Sequence, residues 1–576
     1  FDPFFKGGYN DKFTAETNPS SDGYTGKTYL NVALLGQEDS TSRLKDTVIP
    51  VRVNWDLYQK GFPKTVAGSP LLSSFAADVD LNDTLDIAVM DTAGGLRIWR
   101  ADGSLLRSLG IGTSTVADLA LGDVSGDSRL EVVAAGNDGK VRAIPLSGAP
   151  AQMSTGDRIV AAPVLADLDG DGKKEVIVGS TDMMLYAWKG TGELMPGFPV
   201  SIGTEVRAPV AVTDTARPQI VLLSADSRLF LFNPDGSLAM GFPVTLGNSP
   251  YYSAAQPLVG DFNRDGTKEI MAVAGGGHDY RLYVVGLDGA VKFRSQELVR
   301  FPLYGTPAAA DVNGDGYPDV LTASMNDLFA FNHNATLVTN YPFKQDSTYV
   351  TTELAGNWII SFDAYFQYLS SPVAADVDGD SITDVVIGSP RQGLLGFNGR
   401  TGKPLSLFPL MTTASISTVP LAVDVDKDGR AELAVGSDSG IFYVWKLPGP
   451  ASGIRWHCAY HDACHTGLLL DSDLPPVPEP PAKLVDAYYV YPNPAADSVA
   501  YMRYRLGAGQ SAVRVRMLDM AGDPVGKEMD GPAIPSIDNE ARLDLTGTPP
   551  GLYVVRLAVT NAGRTEVKFT KLAIVR

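Results

Sequence analysis

The segment Asp167-Leu-Asp169-Gly-Asp171-Gly-Lys-Lys-Glu175 decides how this chain folds. Oxygen side chains stand at its first, third and fifth places, a glycine follows the fifth, and an acid closes it at the ninth. Apolar runs flank it on both sides, Pro163-Val-Leu-Ala before and Val176-Ile-Val-Gly after. The same design recurs in Asp311-Val-Asn313-Gly-Asp315-Gly-Tyr-Pro-Asp319 and in five further places. In chain order the ligand-type residues are Asp78, Asp80, Asn82 and Asp86; Asp123, Ser125, Asp127 and Glu131; Asp167, Asp169, Asp171 and Glu175; Asp261, Asn263, Asp265 and Glu269; Asp311, Asn313, Asp315 and Asp319; Asp376, Asp378, Asp380 and Asp384; and Asp424, Asp426, Asp428 and Glu432.

Alternate residues of a tight loop point inward, so acids at places one, three and five converge, and the ninth returns from the next strand. Ca²⁺ takes six to eight oxygens in a flexible cage, which this set can supply. Up to seven such ions are expected, with weaker sites where Asn82, Ser125, Asn263 or Asn313 replaces an acid. Asp, Asn and Gly also favour β-turns through local backbone bonds; that accounts for one loop, but not for a ninth-place acid in all seven. An EF-hand would need a glutamate at place twelve and flanking helices, and the sequence offers neither.

Outward from the loops, each unit reads as four short strands. A second apolar run follows the loop, then an alternating aromatic strand such as Leu185-Tyr-Ala-Trp188, Leu229-Phe-Leu-Phe232 or Phe442-Tyr-Val-Trp445, then a Gly turn and a last segment ending in Gly-Phe-Pro. A period of roughly 45–50 residues signals a propeller or solenoid, because one unit cannot bury its own apolar face. A degraded copy, Pro209-Val-Ala-Val-Thr-Asp214, fills the double-length gap after the third loop, with Gln219 where the closing acid belongs; it should hold no ion. The last unit lacks its outer strand, while Val51-Arg-Val-Asn-Trp-Asp and Gly61-Phe-Pro63 resemble the end of a unit whose beginning is missing. An N-terminal strand completing the last sheet would remove two open edges. The expected fold is therefore all-β: an eight-bladed, or alternatively seven-bladed, propeller over residues 50–450, plus a C-terminal Ig-like β-sandwich.

The loops and the strands after them resemble the FG-GAP (VCBS-like) repeats of integrin α-subunit propellers and secreted bacterial proteins. The resemblance implies the propeller fold and the loop ligands named above. Such propellers serve in adhesion, ligand binding, surface assembly and occasionally polysaccharide lysis.

Residues 451–470 carry Trp456-His-Cys-Ala-Tyr-His461-Asp462-Ala-Cys464-His465-Thr-Gly467, similar to the tail after the last blade of some bacterial propellers. Cys458 and Cys464, the chain's only cysteines, read as a local disulfide in an exported protein. Covalent haem attachment fits poorly, since the spacer is too long. His457, His461 and His465 would share one face if this stretch were helical and bind a transition metal. A proline-rich spacer at 471–483 precedes a β-domain at 484–576. That domain opens with Tyr491-Pro-Asn-Pro and contains Leu543-Asp-Leu545, Gly551-Leu-Tyr-Val-Val and a terminal Lys571-Leu-Ala-Ile-Val. It resembles the C-terminal sorting domain of type IX secretion cargo, which implies export and cell-surface attachment or release. Residues 1–49 read as an extension with one strand, Thr28–Leu35, available for donation to a neighbour. The start at Phe1 reads as the product of signal-peptide removal, and no apolar run is long enough to span a membrane.

With 66 acids against 47 bases the net charge is −19, and no basic stripe exists for nucleic acid. The sequence shows no Gly-x-Ser-x-Gly, His-Glu-x-x-His, P-loop or dinucleotide motif. The reading is a secreted, calcium-stabilised, non-catalytic surface propeller that binds an extracellular glycan or protein. Its alternatives are a subunit of an extracellular filament or layer, built from copies of itself by strand addition, and a polysaccharide lyase or glycosidase.

Overall fold

A computed structural model describes residues 12–13, 30–34, 51–55, 57–66, 69–215, 217–247, 255–276, 279–296, 299–300, 305–324, 327–344, 370–390, 393–474, 484–506, 512–534, 538–561 and 564–575. Most of the 1–49 extension and residues 475–483 of the spacer lie outside them. The chain divides into two compact units, Phe1–Pro476 and Val477–Arg576.

The first unit contains eight successive antiparallel sheets; seven have four strands in sequence order before any additions, and the eighth has three such strands and a fourth from nearer the N-terminus. Their first strands are Phe75–Ala77, Ala120–Gly122, Val164–Ala166, Ala211–Val212, Leu258–Gly260, Ala308–Ala310, Val373–Ala375 and Leu421–Val423. Second strands such as Asp86–Met90, Glu131–Ala135 and Glu175–Gly179 are buried at every position, which is why they read as unbroken apolar runs. Third strands such as Met184–Trp188 alternate instead, with one face partly exposed. Lone sheets this small are unstable, so each packs its faces on its neighbours. This is a β-propeller.

The sequence correctly anticipates that an N-terminal strand completes the last sheet, but not which one. Lys64–Thr65 pairs with Ile441–Pro450, and Leu57 and Gln59 continue the contact through backbone bonds to Lys446 and Val444. Val51–Trp55 pairs instead with Leu30–Leu34, which also pairs with Lys12–Phe13. The strand expected to be available for donation is therefore the middle of a three-stranded sheet within its own chain.

Gly-Phe-Pro has a packing reason. An added Cβ on Gly197 would lie 1.8 Å from the Asp235 carbonyl in the next sheet's turn, and one on Gly241 would lie 2.2 Å from that of Asp288. Gly61, with φ +87°, makes the same approach to Asp102, so the sheet it completes meets the first sheet as the third meets the fourth and the fourth the fifth. The first strands of the eighth and first sheets also pack together.

Residues 453–469 fill the axis. A propeller's first strands each present an unpaired edge inward, and buried N–H groups need partners. The tail supplies them in turn. Ile454–Trp456 pairs with Ala374 and Ala375; then the carbonyls of His457, Ala463, Cys464, Thr466 and Gly467 accept from the N–H groups of Ala422, Leu121, Leu165, Val212 and Val259 at 2.6–2.9 Å. Six first strands are thus tied to one segment.

That path corrects two expectations about the tail. No disulfide joins Cys458 and Cys464. The chain is drawn to the eighth sheet at His457 and to the second and third at Ala463 and Cys464, so the thiols face different partners, the His461 carbonyl at 3.4 Å and the Leu121 carbonyl at 3.3 Å. The stretch is not helical either; Tyr460, His461 and His465 all have positive φ. His465 sits 4.5 Å from the rings of both Phe75 and Tyr460, and its Nδ1 lies 2.8 Å from the Pro163 carbonyl. The three imidazoles form no shared metal face.

Asp462 holds the turn by accepting the N–H groups of Cys464 and Thr466 and the Thr466 hydroxyl. Although burial opposes its charge, His461 is held protonated, with its pKa raised to about 9, by Asp462 and by Asp473, whose Oδ2 lies 3.1 Å from Nε2.

The second unit is two antiparallel sheets around one core. One is Val485–Tyr491, Val499–Leu506 and Asp538–Asp544; the other is Pro524–Gly531, Ala512–Leu518, Gly551–Asn561 and Arg564–Ile574. Strict alternation in Val499–Leu506 sends Ala500, Met502, Tyr504 and Leu506 inward.

Candidate metal centres

Each carboxylate loop joins the first and second strands of its sheet, so all seven share one geometry. The first-place acid lies just after the first strand and accepts backbone N–H groups from within the loop. Asp167 takes those of Gly170 and Gly172, Asp376 those of Gly379 and Ser381, and Asp311 those of Gly314, Asp315 and Gly316, all at 2.7–3.2 Å. Asp78, Asp123, Asp261 and Asp424 repeat the pattern. The fifth-place residues, Asn82, Asp127, Asp171, Asp265, Asp315, Asp380 and Asp428, each accept the N–H two residues on. These bonds shape the loop before any ion is considered.

The ninth-place acids behave differently. Asp86, Glu131, Glu175, Glu269, Asp319, Asp384 and Glu432 are all buried. One oxygen of each accepts the N–H of the residue after the first acid, as in Glu432 to Val425 at 2.8 Å and Asp384 to Val377 at 3.1 Å. The other oxygen of Asp86, Asp319, Asp384 and Glu432 has no hydrogen-bond donor among the described residues. An unpaired buried carboxylate oxygen is costly. Burial, with nearby acids, accordingly pushes the pKa of Asp86 up to about 6, Glu175 to about 7, Asp384 and Glu432 to about 8, and Asp319 well above the carboxylate range.

In four loops, carboxylate oxygens from places one, three and nine lie within 4.8 Å of one another: Asp78, Asp80 and Asp86; Asp167, Asp169 and Glu175; Asp376, Asp378 and Asp384; Asp424, Asp426 and Glu432. The fifth-place acids Asp171, Asp380 and Asp428 are not in these groups. In the other three loops the third place is Ser125, Asn263 or Asn313, so fewer charges meet. Three hard oxygens closing on one point, with an orphaned buried oxygen among them in three of the four groups, fit a divalent cation with oxygen preference. The fourth unit offers no such set; Gln219 turns its amide to Asn233, and Lys268 Nζ lies 3.7 Å from Asp214.

Cations of the chain itself also reach some loops. Arg100 contacts Asp80 at 2.8 Å, Lys189 contacts Asp169 at 2.8 Å, and Lys446 contacts Asp426 at 3.0 Å and Asp428 at 2.5 Å. Each stands twenty residues after its third-place acid, a regular spacing that was readable in the sequence and missed. Lys292 plays a similar part at Glu269. In the seventh sheet the corresponding contact is neutral, from the Asn398 amide to Asp380 at 3.4 Å.

Residues 304–339 and 368–403, which contain the fifth and sixth loops, match the FG-GAP repeat, and residues 489–572 match the secretion system C-terminal sorting domain. The chain carries FG-GAP repeats and a type IX sorting domain. It is a secreted, cell-surface protein. No curated protein matches it. Among solved structures, BamB from Moraxella catarrhalis is similar at 14% identity and a TM-score of 0.45, covering 67% of this chain and all of that one. Rhamnogalacturonan lyase YesW shares 14% identity with a TM-score of 0.46, over 68% of this chain and 75% of the lyase. The Dos1 propeller shares 12% identity with a TM-score of 0.41, over 68% and 96%. No helix among the described residues is long and apolar enough to cross a membrane.

Proposed function

We propose that this protein is a non-catalytic, eight-bladed, calcium-stabilised propeller, displayed at the cell surface through its Ig-like C-terminal sandwich, that binds an extracellular glycan or protein. The observation that carries the calcium reading is the closing acid, buried in every FG-GAP-type loop and left with an unsatisfied oxygen in four of them. A Ca²⁺ ion bound there supplies the missing positive partner and bridges two strands of one sheet. The chain's own part is to fix the cage through the loop N–H groups and to present a rigid ring. The full chain is to be tested for binding to immobilised glycans and matrix proteins, in calcium and after chelation. Binding that disappears with chelator and returns with calcium is the expected result; no calcium-dependent binding to any surface overturns the reading.

The internal cations grade the sites. The loop of the seventh sheet joins Asp376, Asp378, Asp380 and Asp384 with no ammonium in contact among the described residues, so it is expected to bind calcium most tightly. At the loop of the eighth sheet Lys446 competes for Asp426 and Asp428. Replacing it, Lys446→Gln, removes a unit charge a few ångströms from the cage and is expected to tighten that site roughly three- to tenfold. Calcium titration calorimetry on the variant and the parent chain is the check, and an unchanged isotherm contradicts the competition.

A further inference from the structure

At the opposite ends of the first strands from the carboxylate loops, a cavity of about 270 Å³ opens on the propeller axis. Residues from seven of the eight sheets line it, together with Tyr460 of the axial tail. Its one carboxylate is Asp118. Asp118 is held in place by the Ser73 N–H, 2.8 Å from Oδ1, and by the Tyr460 hydroxyl, which donates to Oδ2 at 3.0 Å. Each oxygen accepts one of these bonds and keeps a lone pair for another. Around it stand hydroxyls, including Thr306 and Ser371, which contact each other at 3.2 Å, and the exposed apolar side chain of Val116.

We propose that this axial cavity binds one neutral sugar ring, the terminal residue of a glycan, with Asp118 accepting its hydroxyls and Val116 packing on its C–H face. The inference rests on the surface-binding reading above and names the ligand class. Three observations select it. Ligand pockets for drug-sized molecules run from about 300 Å³ upward, so this one holds a single ring rather than a stretch of polymer. Apolar side chains such as Leu72 and Val160 also line it, but the surface it exposes is mostly polar, which suits a polyol and offers little to a lipid or an aromatic group. Among the described residues the only guanidinium at the rim is Arg207, already paired with Glu205 at 2.6 Å, so no described residue there balances a ligand anion while Asp118 repels one. Uronic and sialic acids are therefore excluded.

The test is saturation-transfer NMR and calorimetry on the calcium-loaded full chain with glucose, galactose, mannose, rhamnose and N-acetylglucosamine, and with glucuronic acid as the anionic counterpart. At least one neutral sugar is expected to bind, and glucuronic acid is not. Val116→Trp, at an exposed position, fills the mouth and is expected to abolish the signal with the melting temperature unchanged. Asp118→Asn, which keeps shape and removes charge, is expected to weaken binding roughly tenfold or more. No signal from any neutral sugar, a signal indifferent to Val116→Trp, or equal binding of glucuronic acid overturns the proposal. The two readings fail separately. Calcium-dependent binding to surfaces that survives Val116→Trp removes the cavity and leaves the surface function standing; sugar binding without surface binding does the reverse.

Discussion

Chelation of divalent cations at pH 8 is expected to lower the melting temperature of the full chain by roughly 10 °C, and at pH 5 to change it little. Extracellular calcium modules bind with Kd of about 10⁻⁴–10⁻³ M, so at ~10 mM calcium each site adds about 1.4–2.7 kcal/mol. Several such sites in a unit of this size move the midpoint by about that much. The pH dependence comes from Asp86, Glu175, Asp384 and Glu432, whose pKa values burial raises to about 6, 7, 8 and 8 in the metal-free protein. A carboxyl whose folded pKa lies above its unfolded value takes up a proton on folding. Its contribution is complete below the unfolded pKa and is lost as pH rises through the folded one. The metal-free chain should therefore lose stability between about pH 4.5 and pH 8. Calcium reverses the slope, because it binds the ionised form and gains as protons leave. Thermal melts at several pH values, with calcium and with chelator, give both slopes. A chelator effect that is the same at pH 5 and pH 8 contradicts this account of the closing acids.

Trp456→Ala is expected to destabilise the propeller by about 3–5 kcal/mol, the range for deleting a large buried aromatic. Trp456 is 1% exposed, and its indole lies 4.6 Å from the His461 ring. Its backbone pairs with Ala374, at the point where the tail enters the axis. Truncation there opens a cavity beside the buried His461 and its two carboxylates, at a place from which six sheets draw backbone partners. Denaturant unfolding followed by tryptophan fluorescence reads the loss, with Leu552→Ala on the exposed surface of the sandwich as a control expected to shift by less than about 0.5 kcal/mol. A Trp456 variant as stable as the control shows that the axial segment lines the channel without supporting it.

Much of this architecture was legible because the repeat writes it many times. Burial at every position of Asp86–Met90 and Glu175–Gly179, and alternation in Met184–Trp188, leave different hydrophobic patterns, and the loop places follow from strand ends. What was not legible depends on single contacts between distant residues. Val51–Trp55 and Lys64–Thr65 both lie just before the first sheet, and nothing in their composition tells which one reaches Ile441–Pro450. The cysteine pair suggested a bridge because six residues apart is close in sequence, whereas the tail's partners, from Leu121 to Ala422, pull Cys458 and Cys464 apart. The His spacing suggested a helix, and the edges of the first strands imposed an extended path instead. The axial cavity was invisible for the same reason: Tyr460 reaches Asp118, and Asp118 reaches Ser73, only through contacts between residues distant in sequence.

Pairing Lys64–Thr65 with Ile441–Pro450 makes the earliest and latest pieces of the propeller answer for each other. A pairing so distant in sequence costs chain entropy to form, so the ring closes only after the sheets between its partners exist. Once fastened, a single cut in a surface loop leaves the circle whole. Trimming the chain past Thr65 would unclasp it.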